Sequence, residues 1–187
     1  MTAVRNHPAT TKLGGEKMEN QLTKNHRKIT TLAINGMVMA VYLAVTIMIK
    51  PLASGAVQFR LSESLNHLVV FNKKLMWGVL GGVVVYNILF SEFGWLDVIF
   101  GGSQTFLSLG LTALLAKYVP NIKIRLALNT VIFTASMALI AWMLHIAIDL
   151  PFWATYGTTA LGEFVVMAVS APLMYYIDKH VHFANRL

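Results

Sequence analysis

The sequence contains no cysteine, which removes disulfides, thiolate nucleophiles and Cys-based zinc or iron–sulfur sites from consideration. Charge is scarce as well: only 12% of the 187 residues are Asp, Glu, Lys or Arg, about half the share of roughly 25% found in soluble domains. A chain so short of charge cannot surround a soluble core with a solvated shell. Catalytic signatures are missing too. There is no G-x-S-x-G nucleophile turn, no H-E-x-x-H pair and no nucleotide-binding loop, so the chain does not read as an enzyme and cannot itself couple transport to ATP. No cofactor or metal is implied, because His145 and Asp149, one helical turn apart, supply only two ligands. No internal repeat of the kind that marks inverted-repeat transporters is evident.

What the sequence has in quantity is hydrocarbon, at 56% hydrophobic residues. The apolar residues are collected in long runs. Ile29 to Ile49, Trp95 to Tyr118, Leu126 to Ile148 and Ala154 to Ile177 each approach or exceed the ~20 residues that cross ~30 Å of lipid as helix. Two shorter runs, Val57 to Phe71 and Leu75 to Phe90, are divided by Asn72, Lys73 and Lys74. At ~24 Å of helix each, they can span where the bilayer thins or flanking residues snorkel.

Counting both gives the expected fold class: an all-α integral membrane protein with six transmembrane helices in one bundle and both ends in the cytoplasm. The charge distribution agrees. The formal charge of +7 sits in short stretches between apolar runs, which marks topology rather than a nucleic-acid surface. With six spans and an inside amino end, thirteen of the fifteen Lys and Arg residues fall on one side, and only Lys50 and Arg60 fall on the other, as the positive-inside rule expects. Lys50-Pro51, Pro120 and Pro151 break the helices between runs. Residues 1–28 are polar and lack the apolar core of a signal peptide; they are expected to be a disordered cytoplasmic tail, with residues 29–187 forming the membrane domain. Met18 opens the segment MENQLTKNHRK, which leaves residues 1–17 as a candidate upstream extension.

Ionisable groups inside lipid cost several kcal/mol and need partners. Arg60, Glu63, Asp97 and Glu163 are the cases here, and the expected topology places all four in the outer half of the membrane, Glu163 about two turns into the sixth helix. Gln58, Phe59, Asn66, His67, Asn87, Trp95, Gln104 and His145 fall at similar depth. Acidic groups, amides and flat rings in one cavity suit a small planar heterocycle, and a carboxylate also suits an amine. The candidate substrate-binding set is Gln58, Arg60, Glu63, Asn66, Trp95, Asp97, Gln104 and Glu163. Competing structural readings are that Arg60 and Glu63 only neutralise each other on one helix face and that Asp97 faces water at the interface. In the first helix Gly36, Ala40 and Ala44 recur every four residues, a stripe that lets another helix approach closely, either within the bundle or in a partner.

The segment Ala56-Val-Gln-Phe-Arg-Leu-Ser-Glu-Ser-Leu65, with Gly94-Trp-Leu-Asp97, Gly101-Gly-Ser103, Thr105 and Gly162-Glu163, resembles the substrate-binding S components of energy-coupling factor (ECF) transporters, and within them the queuosine-precursor QueT family. The likeness extends over nearly all of the chain after residue 28. It implies a six-helix S component in the bacterial cytoplasmic membrane that captures a micronutrient at the outer face. Its implied partners are a transmembrane coupling subunit, EcfT, docked on the Ala40 and Ala44 stripe, and two ATPase subunits, EcfA and EcfA'. The implied cargo is a flat nitrogen heterocycle of the 7-deazaguanine type. The alternatives are the same role for hydroxymethylpyrimidine, pyridoxine or a thiamine-like precursor, a stand-alone channel or facilitator, and a scaffold without cargo.

Overall fold

A computed structural model describes residues 8–49 and 60–185 of the chain. Among them there is no strand. The elements are α1 (Pro8–Ile49), a 3-10 stretch (Leu61–His67) running into α2 (Leu68–Phe71), a 3-10 turn (Lys73–Leu75) leading into α3 (Met76–Phe90), α4 (Trp95–Leu115), α5 (Ile122–Ile148), α6 (Phe152–Val181) and a last 3-10 turn (Phe183–Asn185).

Among the described residues, five stretches are long and apolar enough to cross a bilayer: Gln21–Ile49, Lys73–Phe90, Trp95–Leu115, Ile122–Ile148 and Phe152–Val181. The sixth expected span, the second run, is not among them, and residues 57–59 of it lie outside the described residues. Its described part is the seven-residue 3-10 stretch and the four-residue α2, and it lies inside the bundle rather than against lipid, with Asn66, His67 and Val69 at most 1% exposed. The physical reason is its sequence. Ser62, Glu63, Ser64, Asn66 and His67 crowd the first half, and a segment this polar is stable at membrane depth only when the protein encloses it. The first helix also differs from expectation: α1 starts at Pro8, so residues 8–28 continue the helix instead of ending at a boundary. Extending a formed helix through Lys, Glu, Gln and Leu needs no new nucleus.

The bundle is inside out relative to a soluble protein. Leu32, Met48, Leu89 and Trp153 are exposed, while Glu63, Asn129 and Glu163 are buried, an arrangement that suits hydrocarbon outside and hydrogen bonding within. Chain direction follows from the contacts. Asn35 meets Gly78 and, further along both helices, Tyr42 meets Gly82, so α1 and α3 run the same way and the short segment between them runs back. At the far end of that return, the Asn72 side chain donates to the Phe183 carbonyl at 3.1 Å, which puts the start of α3 and the end of α6 at one end of the bundle. Lys123 and Lys179 both lie over the Tyr175 ring and join Lys73 and Lys74 at that end.

Two local devices hold these helices in register. The first is close approach of α1 and α3. A Cβ at Gly78 would stand 2.6 Å from the Asn35 carbonyl oxygen, and one at Gly82 would stand 2.8 Å from the Tyr42 Cβ, so neither position has room for a side chain. The Asn35 amide oxygen also accepts the Gly78 N–H at 2.6 Å, satisfying a donor in the first turn of α3 that has no partner within its own helix.

The second device is a buried polar chain. Thr112 on α4 donates to the Asn129 amide oxygen at 2.7 Å, and the Asn129 amide N–H faces His67 Nδ1 at 3.0 Å. His67 Nε2 meets the Met167 carbonyl at 3.0 Å. Because a carbonyl can only accept and the Asn129 amide nitrogen can only donate, His67 is neutral with its proton on Nε2. Each hydrogen bond of this chain pairs a donor with an acceptor, and together they tie the short segment to α4, α5 and α6.

Two variants check these devices. Gly78→Ala is expected to destabilise the protein by about 1–3 kcal/mol through overpacking, seen as a lower melting temperature in detergent micelles. Asn129→Leu strands both His67 Nδ1 and the Thr112 hydroxyl, and is expected to cost about 1–3 kcal/mol for each buried group left unpaired; an unchanged melting temperature would show the chain to be dispensable.

Candidate functional site

Where the short segment packs against α1 and α6, the structure gathers Arg60, Glu63, Asn66 and Glu163 from the candidate set. The register explains how. His67 touches Met167, the short segment and α6 run in the same direction, and both Glu63 and Glu163 lie four residues before those contact points. The two carboxylates therefore reach similar height and sense each other electrostatically, with Arg60 as the opposing charge. Glu163 lies eleven residues after Phe152, the first residue of α6, or ~16 Å along the helix at 1.5 Å per residue. That is nearer the middle of the hydrocarbon than the expected two turns.

Glu63 is the hub. Its Oε1 accepts the Tyr42 hydroxyl at 2.8 Å and its Oε2 accepts the Asn66 amide N–H at 2.5 Å. Both bonds are charge-assisted and buried, which makes them strong ones. They also fix the Asn66 amide, since its nitrogen must face the carboxylate and its oxygen must face elsewhere. That oxygen, Asn66 Oδ1, has no hydrogen-bond partner among the described residues, and neither do Glu163 Oε1 and Ser62 Oγ. All three residues are at most 2% exposed. Buried polar atoms are nearly always paired in native proteins, so three unpaired ones around a carboxylate pair set this cluster apart from the rest of the interior.

Tyr42 and Ser62 belong to this cluster and were not in the candidate set. A tyrosine in the middle of a lipid-spanning run is itself a signal, because its hydroxyl must find an acceptor inside the protein. Ser62 lies within the segment that carried the family likeness.

The remaining candidates are elsewhere. Gln58, like the loop from Pro51 to Phe59, lies outside the described residues. Trp95 is 74% exposed on the outside of the bundle. Asp97 organises its own turn: its Oδ2 accepts from the Ser91 hydroxyl at 2.7 Å and from the Glu92 and Phe93 N–H groups at 3.0 Å, so it shapes the α3–α4 loop. Gln104 is buried but faces α5, donating to the Ser136 hydroxyl at 2.7 Å and accepting from Thr105 at 3.2 Å. His145 is exposed, and its Nδ1 donates to the Leu150 carbonyl at 2.7 Å beside the end of α5. Asn87 donates to the Asp97 carbonyl at 3.0 Å and braces the same loop.

The small-residue stripe of α1 is resolved as an outward feature. The inward face of that helix is Asn35, Val38 and Tyr42, which meet the glycines of α3. Gly36 has nothing within 4 Å of a built Cβ, and Ala40 and Ala44 are exposed. Packing inside the bundle is therefore served by the glycines of α3, and the α1 stripe is left facing out.

The sequence profile described as "QueT transporter" matches residues 32–179. The chain is also 36% identical over 162 residues to the "Queuosine precursor transporter QueT" of Lactococcus lactis subsp. cremoris (strain MG1363), an alignment covering 82% of this chain and 93% of that relative. No solved structure matches the chain at a significant level. With a family match across most of the chain and five helices fit to cross a bilayer, the protein is a multi-pass membrane protein of the cell membrane and belongs to the QueT transporter family.

Proposed function

We propose that the protein is the substrate-capturing S component of an ECF uptake transporter, and that it binds a planar nitrogen heterocycle of the queuosine-precursor, 7-deazaguanine type and passes it inward. The observation that carries this reading is the closed cluster of Glu63, Glu163, Asn66 and Ser62, whose unpaired polar atoms sit deep in a family of transporters. The name of the Lactococcus relative supports the choice of cargo. An uptake subunit needs affinity for a scarce solute, and a desolvated site with preset acceptors supplies it because little ordering is left to be done on binding.

In this reading the basic end of the bundle, with Lys73, Lys74, Lys123 and Lys179, faces the cytoplasm together with both chain ends, and the carboxylate cluster is reached from outside. Energy comes from partners: a transmembrane coupling subunit, EcfT, and the ATPases EcfA and EcfA'. The outward stripe of Gly36, Ala40 and Ala44 is the docking face for the coupling subunit, since small side chains let helix backbones approach closely in lipid.

Two measurements test the reading. Isothermal titration of the purified protein against a panel of deazapurines and vitamin precursors is expected to give submicromolar binding to a 7-deazaguanine; saturable binding only to hydroxymethylpyrimidine, pyridoxine or thiamine would reassign the cargo, and no binding at all would leave a scaffold. Ala40→Trp or Ala44→Trp is expected to abolish co-purification of the coupling and ATPase subunits while the titrated affinity changes less than about 3-fold, which is under 1 kcal/mol. Uptake that persists in cells lacking any ATPase partner would instead identify a facilitator.

A further inference from the structure

At the basic end of the bundle two ammonium groups share one aromatic ring. Lys123, in the first turn of α5, places its Nζ 5.7 Å from the centre of the Tyr175 ring, and Lys179, in the last turn of α6, places its Nζ 5.0 Å from the same centre. Both lysines are exposed and Tyr175 is half-buried. A ring face attracts a cation, but two cations drawn to one ring repel each other, and neither is paired with a carboxylate among the described residues. Asp178, next to Lys179 in the chain, is bonded instead to the Phe183 N–H at 3.0 Å. The Tyr175 hydroxyl makes no hydrogen bond to a described residue either, so two ammonium groups and a phenol are left as donors at one place.

The surface that leads away from these donors is apolar and shallow. Side chains four apart share a helix face, so the line from Lys123 continues through Ala127 and Val131 on α5, and the line from Lys179 continues through Tyr175 and Ala171 on α6. Ala127 is exposed, Ala171 is half-buried and Val131 is 59% exposed. Both lines run from the end of the bundle towards its middle, and the small side chains at Ala127 and Ala171 keep the track between them open.

Positive charge at the level of the headgroups, continued inward by an apolar track, fits a phospholipid of net negative charge. We propose that the inner ends of α5 and α6 form a seat for one anionic phospholipid, whose phosphate accepts from Lys123, Lys179 and the Tyr175 hydroxyl while an acyl chain lies along Ala127, Val131 and Ala171. Charge-assisted bonds from two ammonium groups hold the phosphate, and a lipid that carries its own ammonium is disfavoured because the lysines repel it. Marking topology requires only that lysines lie on this side of the membrane. Lys73 and Lys74 do that at the same end without sharing a ring, so the convergence of Lys123 and Lys179 calls for a further cause. In the orientation proposed above the seat opens to the cytoplasmic leaflet, and it does not depend on which cargo the protein carries.

The test is native mass spectrometry of the full-length protein released from neutral detergent after incubation with dioleoyl phosphatidylglycerol or dioleoyl phosphatidylcholine, which share acyl chains and differ in headgroup. The glycerol lipid is expected to be retained at about 10- to 30-fold lower concentration, the scale of two lysines acting on one anionic headgroup. Lys123→Gln with Lys179→Gln is expected to erase most of that preference, whereas Lys73→Gln with Lys74→Gln, which removes the same charge from the same end, is expected to leave it within about 3-fold. Ala127→Trp fills the track, keeps both lysines and is expected to weaken retention by at least about 3-fold. Equal retention of the two lipids by the natural protein overturns the proposal, as does an equal loss of preference in both lysine pairs, which would mean diffuse charge instead of a seat. Displacement of the lipid by millimolar glycerophosphoglycerol would assign the site to a free phosphate ester and also overturn it. Where the Lys123 and Lys179 pair does not yield folded protein, Ala127→Trp decides: unchanged retention there rejects the seat.

Discussion

The hydrogen bonds of one carboxylate organise the centre of this bundle. Glu63 sits at membrane depth, accepts from Tyr42 on α1 and from Asn66 on its own segment, and could not be tolerated facing lipid. Its burial holds the stretch from Ser62 to Val70 inside the protein, which is why this run is enclosed by the other helices rather than laid against lipid. α1, α3 and α6 then enclose it, with α4 and α5 joined through the chain from Thr112 to Met167.

Enclosing a segment within five long helices demands economy of space elsewhere. α3 supplies it with Gly78 and Gly82, which let α1 approach until backbone and side chain are in contact. Lipid cannot drive helices together by the hydrophobic effect, so close packing and hydrogen bonds such as Asn35 to Gly78 carry the association. One face of α1 is committed in this way. The stripe of Gly36, Ala40 and Ala44 on another face therefore has no internal task among the described residues, and a surface of small side chains is what a second helix in the same membrane can use.

The long helices were legible because length and continuity of apolar residues suffice to identify them, and Pro151 and Asn72 mark breaks by chemistry that acts locally. The buried charges were legible for a different reason: Glu63 and Glu163 are intolerable in lipid, so their presence implied enclosure before any helix was placed. Which way a residue faces was not legible. Both the lipid and the interior are apolar, so periodicity carries little information about orientation, and Trp95, Asp97 and Gln104 were grouped with the cluster on depth alone. Asp97 shows the consequence: the fold of its loop supplies three donors to one oxygen, and these depend on the turn after α3, which depth does not encode. Tyr42 was missed for the converse reason, because a tyrosine in an apolar run reads as hydrocarbon until its hydroxyl is asked for an acceptor.

Two polar layers one turn apart differ in how fully their groups are paired. The layer of His67, Asn129 and Thr112 is complete, with each donor matched and the histidine fixed in one tautomer. The layer of Glu63, Asn66, Ser62 and Glu163 uses the same kinds of groups, the same degree of burial and the same short segment, yet three of its atoms are unmatched. A purely structural polar layer gains nothing from unmatched acceptors, which cost about 1–3 kcal/mol each when buried. Evenly applied packing constraints would have completed both layers or neither. Three of the five unpaired buried side-chain atoms among the described residues lie on one side of His67, at the level where the two carboxylates meet, and in the proposed uptake role a donor-bearing cargo is what repairs them.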